Sequence, residues 1–116
     1  MKILYVENHE VFAANVTRQF LSQHAVTIVP SIAAARQARV EGKFDLLLVD
    51  YDLDDGKGDT FVREVRALGD NIAIVGVSSH EEGNAALQRA GALATCSKMQ
   101  FDQIQSVIES VTREST

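Results

Sequence analysis

Five aspartates crowd into ten positions: Asp50, Asp52, Asp54, Asp55 and Asp59. Carboxylates at that density suit a hard divalent cation or a phosphoryl site, although a solvated acidic loop is the plainer reading. Asp50 stands apart because it directly follows Leu46-Leu47-Leu48-Val49. A charge placed there must lie at the mouth of the core, since an unpartnered buried charge is costly. Other polar residues follow apolar runs in the same way: Glu7-Asn8, Pro30-Ser31, Ser78-Ser79 and Ser97-Lys98. Glu7, Asn8 and Asp50 offer oxygen to a hard cation, Ser78 offers a hydroxyl, and Lys98 offers a positive charge. A phosphoryl group on Asp50 would need all of these, with a metal and an ammonium against its charge and a donor for its oxygens.

The elements that must position these residues alternate along the chain. Apolar runs at Ile3–Val6, Val26–Val29, Leu46–Val49, Ile72–Val77 and Leu93–Cys96 read as strands. Most are continuous rather than alternating, as expected of strands buried on both faces of a parallel sheet. Helical periodicity between them predicts helices near 10–20, 32–41, 59–68, 82–90 and 101–114, with Phe12, Val16 and Phe20 marking the first. Ile104, Val107, Ile108 and Val111 mark the last. Strict βα alternation predicts an α/β fold, a doubly wound five-stranded parallel sheet flanked by five helices. Ligands in such sheets bind beyond the carboxyl ends of the strands, which is where the polar residues fall.

Bulk properties narrow the function classes. A chain of 116 residues with 46% apolar side chains fits one domain with one core, spanning 1–116. Sixteen acids against eleven bases give a net charge of −5, which argues against direct nucleic-acid binding. No apolar run approaches a membrane span, and the first strand starts too early to leave room for a signal peptide, so a cytoplasmic location is expected. The single Cys96 builds no disulfide framework and reads as an inert core thiol. His9, His24 and His80 lack the spacing of metal ligands.

Across essentially its whole length the pattern resembles the receiver domains of two-component signalling. The resemblance rests on Ile3-Leu4-Tyr5-Val6-Glu7-Asn8, on Asp45 through Leu53, on Asp55-Gly56-Lys57-Gly58, on Val75 through Ser79, on Ala90-Gly91-Ala92 and on Ser97-Lys98. It implies a flavodoxin-like strand order of 2-1-3-4-5 and a phosphorylation switch. Asp50 then takes the place of the acceptor for a phosphoryl group from a histidine kinase or phosphotransfer protein. Ser78 matches the switch hydroxyl and Lys98 the lysine that pairs with the phosphoryl group. Glu7, Asn8, Asp50 and the backbone carbonyl of Asp52 match the Mg²⁺ ligands, and Gly58 matches a glycine of the following loop. Such a domain is a switch that reports to a downstream protein and self-catalyses transfer and hydrolysis, without being a turnover enzyme.

Four departures from the family pattern matter. Glu7-Asn8 replaces the usual pair of acids, which predicts weakened rather than abolished metal binding. Met99 replaces a proline whose preceding bond is usually cis; a trans bond and a shifted loop are expected, because cis costs ~2.5–4 kcal/mol before other residues. Thr95 stands where an aromatic switch residue is common, so rotation of a ring there cannot report the state. Asp54 replaces a frequent proline.

Several residues also have plainer roles. Asn8 suits a helix start, and Ser79 with Glu82 spells a capping box before the fourth helix. An EF-hand reading of Asp50–Gly56 fails, since the glycine comes one place late and Phe61 stands where the closing glutamate belongs. A haloacid-dehalogenase-type phosphatase would carry its Asp-x-Asp pair after the first strand, not the third, and flavin binding would need a phosphate-cradling loop where Glu7-Asn8-His9-Glu10 is acidic. The rival from another class is a pseudo-receiver, folded alike and binding partners without phosphorylation. The chain ends at Thr116, just past the fifth helix, so both a stand-alone receiver and a piece of a longer regulator remain open.

Overall fold

Apolar runs that bury both faces become strands because a sheet interior satisfies the backbone while the side chains pack above and below. The computed structural model describes residues 1–112. Its elements are β1 (Lys2–Val6), α1 (Glu10–Phe20), β2 (Ala25–Val29), α2 (Ile32–Glu41), β3 (Leu46–Val49), β4 (Asp52–Leu53), β5 (Gly56–Lys57), α3 (Gly58–Ala67), β6 (Ala73–Ser78), α4 (Glu81–Ala90), β7 (Ala94–Ser97) and α5 (Ile104–Thr112). The main sheet is parallel with order β2-β1-β3-β6-β7. Without the two-residue hairpin β4-β5, that is the expected 2-1-3-4-5 order.

Alternate residues of the central strands feed two cores. Ile3, Tyr5, Leu46, Leu48, Val75 and Val77 pack with Ala13 and Val16 of α1, with Phe101, and with Ile104 and Ile108 of α5. Leu4, Val6, Leu47, Val49 and Ile74 pack on the opposite face against α2, α3 and α4. β1, β3 and β6 are almost wholly buried, whereas the edge strands β2 and β7 are half-buried. The Arg66 guanidinium donates to the carbonyls of Asp70, Ile72 and Gly91, tying α3 to the start of β6 and the end of α4.

Three local expectations need correction. Residues Lys98–Gln103 form a 3-10 turn broken at Gln100 (φ −130°, ψ 40°), so α5 starts at Ile104 rather than 101. Positions 113 and 114 of the expected last helix lie outside the described residues. The Ser79–Glu82 capping box does not form: the residue at the cap of α4 is His80, which makes no side-chain cap bond, and its N–H donates to Ser78 Oγ at 3.1 Å. The start of α4 therefore lies one residue later than a Ser79 cap would place it. The hairpin Asp52–Lys57 was unforeseen, being too short to show a period. The peptide before Met99 is trans, as its missing proline predicts. No helix among the described residues is long and apolar enough to cross a membrane.

Candidate functional site

Parallel register brings the strand ends together. Val6 pairs with Val49 across β1 and β3, so Glu7 and Asp50 emerge one step further on as neighbours. The Asp50 N–H donates to Val6 O and the Glu7 N–H to Val29 O, each at 2.9 Å, continuing the ladder past the strands. Ser78 pairs with Ser97 across β6 and β7, which delivers Lys98 to the same edge. Glu7, Asp50 and Ser78 are the buried polar side chains there, at 0%, 3% and 3% exposure.

A single ammonium serves both carboxylates. Lys98 Nζ lies 2.7 Å from Glu7 Oε1 and 3.1 Å from Asp50 Oδ2. Glu7 Oε2 accepts from the His9 N–H at 3.1 Å, and Asp50 Oδ1 accepts from the Tyr51 N–H at 2.8 Å. The Lys98 ammonium also sits 5.3 Å from the centre of the Phe12 ring, so its stem runs along apolar surface. Met99 is 82% exposed and its N–H donates to Ser97 Oγ. The 3-10 turn starts at Lys98 itself, whose ammonium stays on Asp50 with Met99 in the following position.

Burial raises the Asp50 carboxyl from its ordinary value near 3.8 to about 6; the Glu7 charge adds to the rise and Lys98 opposes it. Folding therefore favours protonated Asp50, a benefit fully present below 3.8 and lost as pH rises through 6. In a chelator, Asp50→Asn should accordingly be more stable than the parent at pH 7.5, by about 2 kcal/mol, and equal to it near pH 4. Urea denaturation at both pH values checks this. An Asp50→Asn protein no more stable than the parent at pH 7.5 would contradict the stated cost of the buried charge.

Ser78 lies under α4. A methyl group at Gly83 would come within 2.5 Å of Ser78 Oγ, so only glycine lets the helix approach the hydroxyl this closely. Gly58 does the same for the Asp50 backbone, as its position would place a Cβ 1.9 Å from the Asp50 carbonyl oxygen. Its N–H donates to Tyr51 O at 2.6 Å, which closes the turn after β3.

The acidic cluster disperses. Asp52 pairs with Lys57, and Asp59 with Arg63 at 2.9 Å. Asp55 accepts from the N–H groups of Ile32 and Ala33, capping α2 from a distance and holding its own carboxyl below the usual range. Of the five side chains, that of Asp50 is the one buried beside Glu7 and Lys98. Among the described residues no three His, Cys, Asp or Glu side chains gather to hold a metal. The oxygen set nevertheless suits Mg²⁺, which takes one or two carboxylates and keeps several waters. Asn8 Oδ1 is buried with no hydrogen-bond partner, the mark of an oxygen awaiting one. Asn8, His9, Phe12, Ser79 and Lys98 line an adjacent cleft of about 660 Å³.

One site residue escaped the sequence reading. Tyr5 is fully buried, and its hydroxyl donates to Glu7 Oε1 at 3.4 Å. The available signal was period two, because a tyrosine two before Glu7 in a strand shares its face.

The solved structures this chain is similar to have the same architecture. The receiver domain of Francisella response regulator 1452 superposes with a TM-score of 0.85 at 14% identity, covering 97% of this chain and 96% of that one. A two-component response regulator from Clostridium difficile gives 0.85 at 17%, covering 98% and 97%. The BeF3-activated N-terminal receiver domain of Klebsiella pneumoniae RstA gives 0.83 at 22%, covering 98% and 100%. Among curated proteins none matches the sequence. Residues 3–109 match the response regulator receiver domain, and the chain belongs to that family of two-component signalling modules.

Proposed function

We propose that this receiver works by phosphorylation of Asp50, with a histidine kinase or phosphotransfer protein as donor, in the cytoplasm. The observation that carries the reading is the buried Asp50 carboxylate, held 3.1 Å from the Lys98 ammonium at the open end of β3. A carboxylate kept there at a cost, with its cation beside it, is poised as a nucleophile. One Asp50 oxygen attacks the phosphorus of a phosphohistidine in line. A P–O bond forms, the P–N bond breaks, and the imidazole leaves with the electron pair and takes a proton from solvent.

Asp50, Asn8 Oδ1, Glu7 and the backbone carbonyl of Asp52 are the groups that would hold Mg²⁺. The bound ion would neutralise charge developing on the phosphoryl oxygens. Lys98 turns from the carboxylates to pair with the phosphoryl group, and the Ser78 hydroxyl donates to one of its oxygens. With Asn8 in place of an acid the site holds less charge, so metal is bound weakly. Thr95 offers no ring to report the state, so a downstream partner must read it by some other change at the site. The activation of the Klebsiella pneumoniae receiver by BeF3 supports the same use of this fold.

The pseudo-receiver reading draws support from the same ammonium, which already neutralises Glu7 and Asp50 in the resting protein. Acetyl phosphate separates the two. The switch takes up phosphoryl when Mg²⁺ is supplied at millimolar levels and not in a chelator, whereas a pseudo-receiver takes up none in either.

A further inference from the structure

Lys98 serves two carboxylates, and phosphorylation of Asp50 draws it toward a third anion. Glu7 would then give up its ammonium for the Mg²⁺ it would help to hold, and its carboxylate must keep its place through that exchange. Its Oε1 faces Lys98 at 2.7 Å and the Tyr5 hydroxyl at 3.4 Å, while Oε2 holds the His9 N–H. These donors fix the orientation of a wholly buried carboxylate, Lys98 being the nearer partner of Oε1 in the resting state. The neighbours of Tyr5 in β1, Ile3, Leu4 and Val6, are apolar and fully buried, so packing alone needs no hydroxyl at this place. The ring is held firmly. It stacks on Phe101 at 6.1 Å and 24°, and Phe101 meets the Phe12 ring edge-on at 5.9 Å. Phe12 in turn lies beneath the Lys98 ammonium.

We propose that Tyr5 is a positioning residue for phosphoryl transfer, its hydroxyl holding Glu7 so that Lys98 is free to move to the phosphoryl group on Asp50. This rests on the reading of Asp50 as the acceptor. At 3.4 Å the contact is long while Lys98 is the nearer partner of Oε1, so losing the hydroxyl should bear on the step in which Lys98 moves more than on the resting fold.

The test compares initial rates of phosphoryl uptake from acetyl phosphate, with Mg²⁺, in the wild type and Tyr5→Phe. Tyr5→Phe keeps the ring and its stack. The maximal rate should fall roughly tenfold, the loss of one hydrogen bond to a buried charge. Half-saturating acetyl phosphate and the melting temperature should stay nearly unchanged. An unchanged maximal rate overturns the proposal, and so does a loss confined to donor affinity. A wild type that takes up no phosphoryl overturns the Asp50 reading itself. Because the chain has two tyrosines and no tryptophan, phenol emission in Tyr51→Phe reports Tyr5 alone. Should Tyr5→Phe fail to fold, that emission decides: a change on phosphorylation supports the role, and constancy overturns it.

Discussion

Replacing Lys98 with methionine should slow phosphoryl uptake roughly a hundredfold or more, the usual loss when a preorganised positive or donor group is removed from a transition state. The same substitution should destabilise the resting protein. Glu7 and Asp50 would face one another without their shared cation, and breaking a buried pair by removing one partner costs about 3–5 kcal/mol. The sign of the pH dependence follows from Asp50, whose carboxyl is already raised to about 6 by burial and by Glu7. Without Lys98 nothing opposes that rise, so a proton takes the place of the ammonium as pH falls. The stability deficit should be largest at pH 8 and shrink toward pH 5. Urea denaturation across that range measures it, and a deficit independent of pH would show that the lysine contributes packing rather than charge.

Gly58→Ala should cost about 3 kcal/mol or more, although it adds only one methyl group, at a buried position. The new Cβ would stand 1.9 Å from the Asp50 carbonyl oxygen and 3.0 Å from both Asp50 C and Val49 Cγ1. The first obstacle is backbone, which cannot swing aside like a long side chain. Either α3 backs away from β3 or the Asp50–Tyr51 turn opens, and both outcomes displace Asp50. Chemical denaturation should record the loss, and phosphoryl uptake should fall with it even in the folded fraction. A variant within 1 kcal/mol of the parent, with normal uptake, would contradict the close approach on which the turn depends.

Much of this was legible in the sequence because the relevant signals are local. Leu46-Leu47-Leu48-Val49 followed by Asp50 reads as a doubly buried strand ending in a charge, and β3 ends there. Glu7, Ser78 and Lys98 were placed by the same logic of strand ends. What stayed hidden depends on contacts between distant residues. Asp55 looked like part of a metal-binding acid cluster, yet it caps α2 some 22 and 23 positions earlier in the chain. The Ser79 capping box had the right spelling but lost its place because Ser78 Oγ already receives the His80 N–H. Tyr5 passed as one more apolar residue of β1, since its hydroxyl finds a use only after β1 and the turn following β7 meet at Glu7 and Lys98. Only residues 101–103 of the 3-10 turn were absorbed into the last helix, because Phe101 falls three before Ile104 and continues the apolar spacing of α5.

The central claim is that Asp50 accepts a phosphoryl group. Intact mass after incubation with acetyl phosphate and Mg²⁺ tests it most directly, with Asp50→Asn beside the wild type. A phosphate-sized gain in the wild type that is absent from the folded variant is the expected result. A gain of equal size in both proteins, or in neither at any Mg²⁺ concentration, would contradict the account.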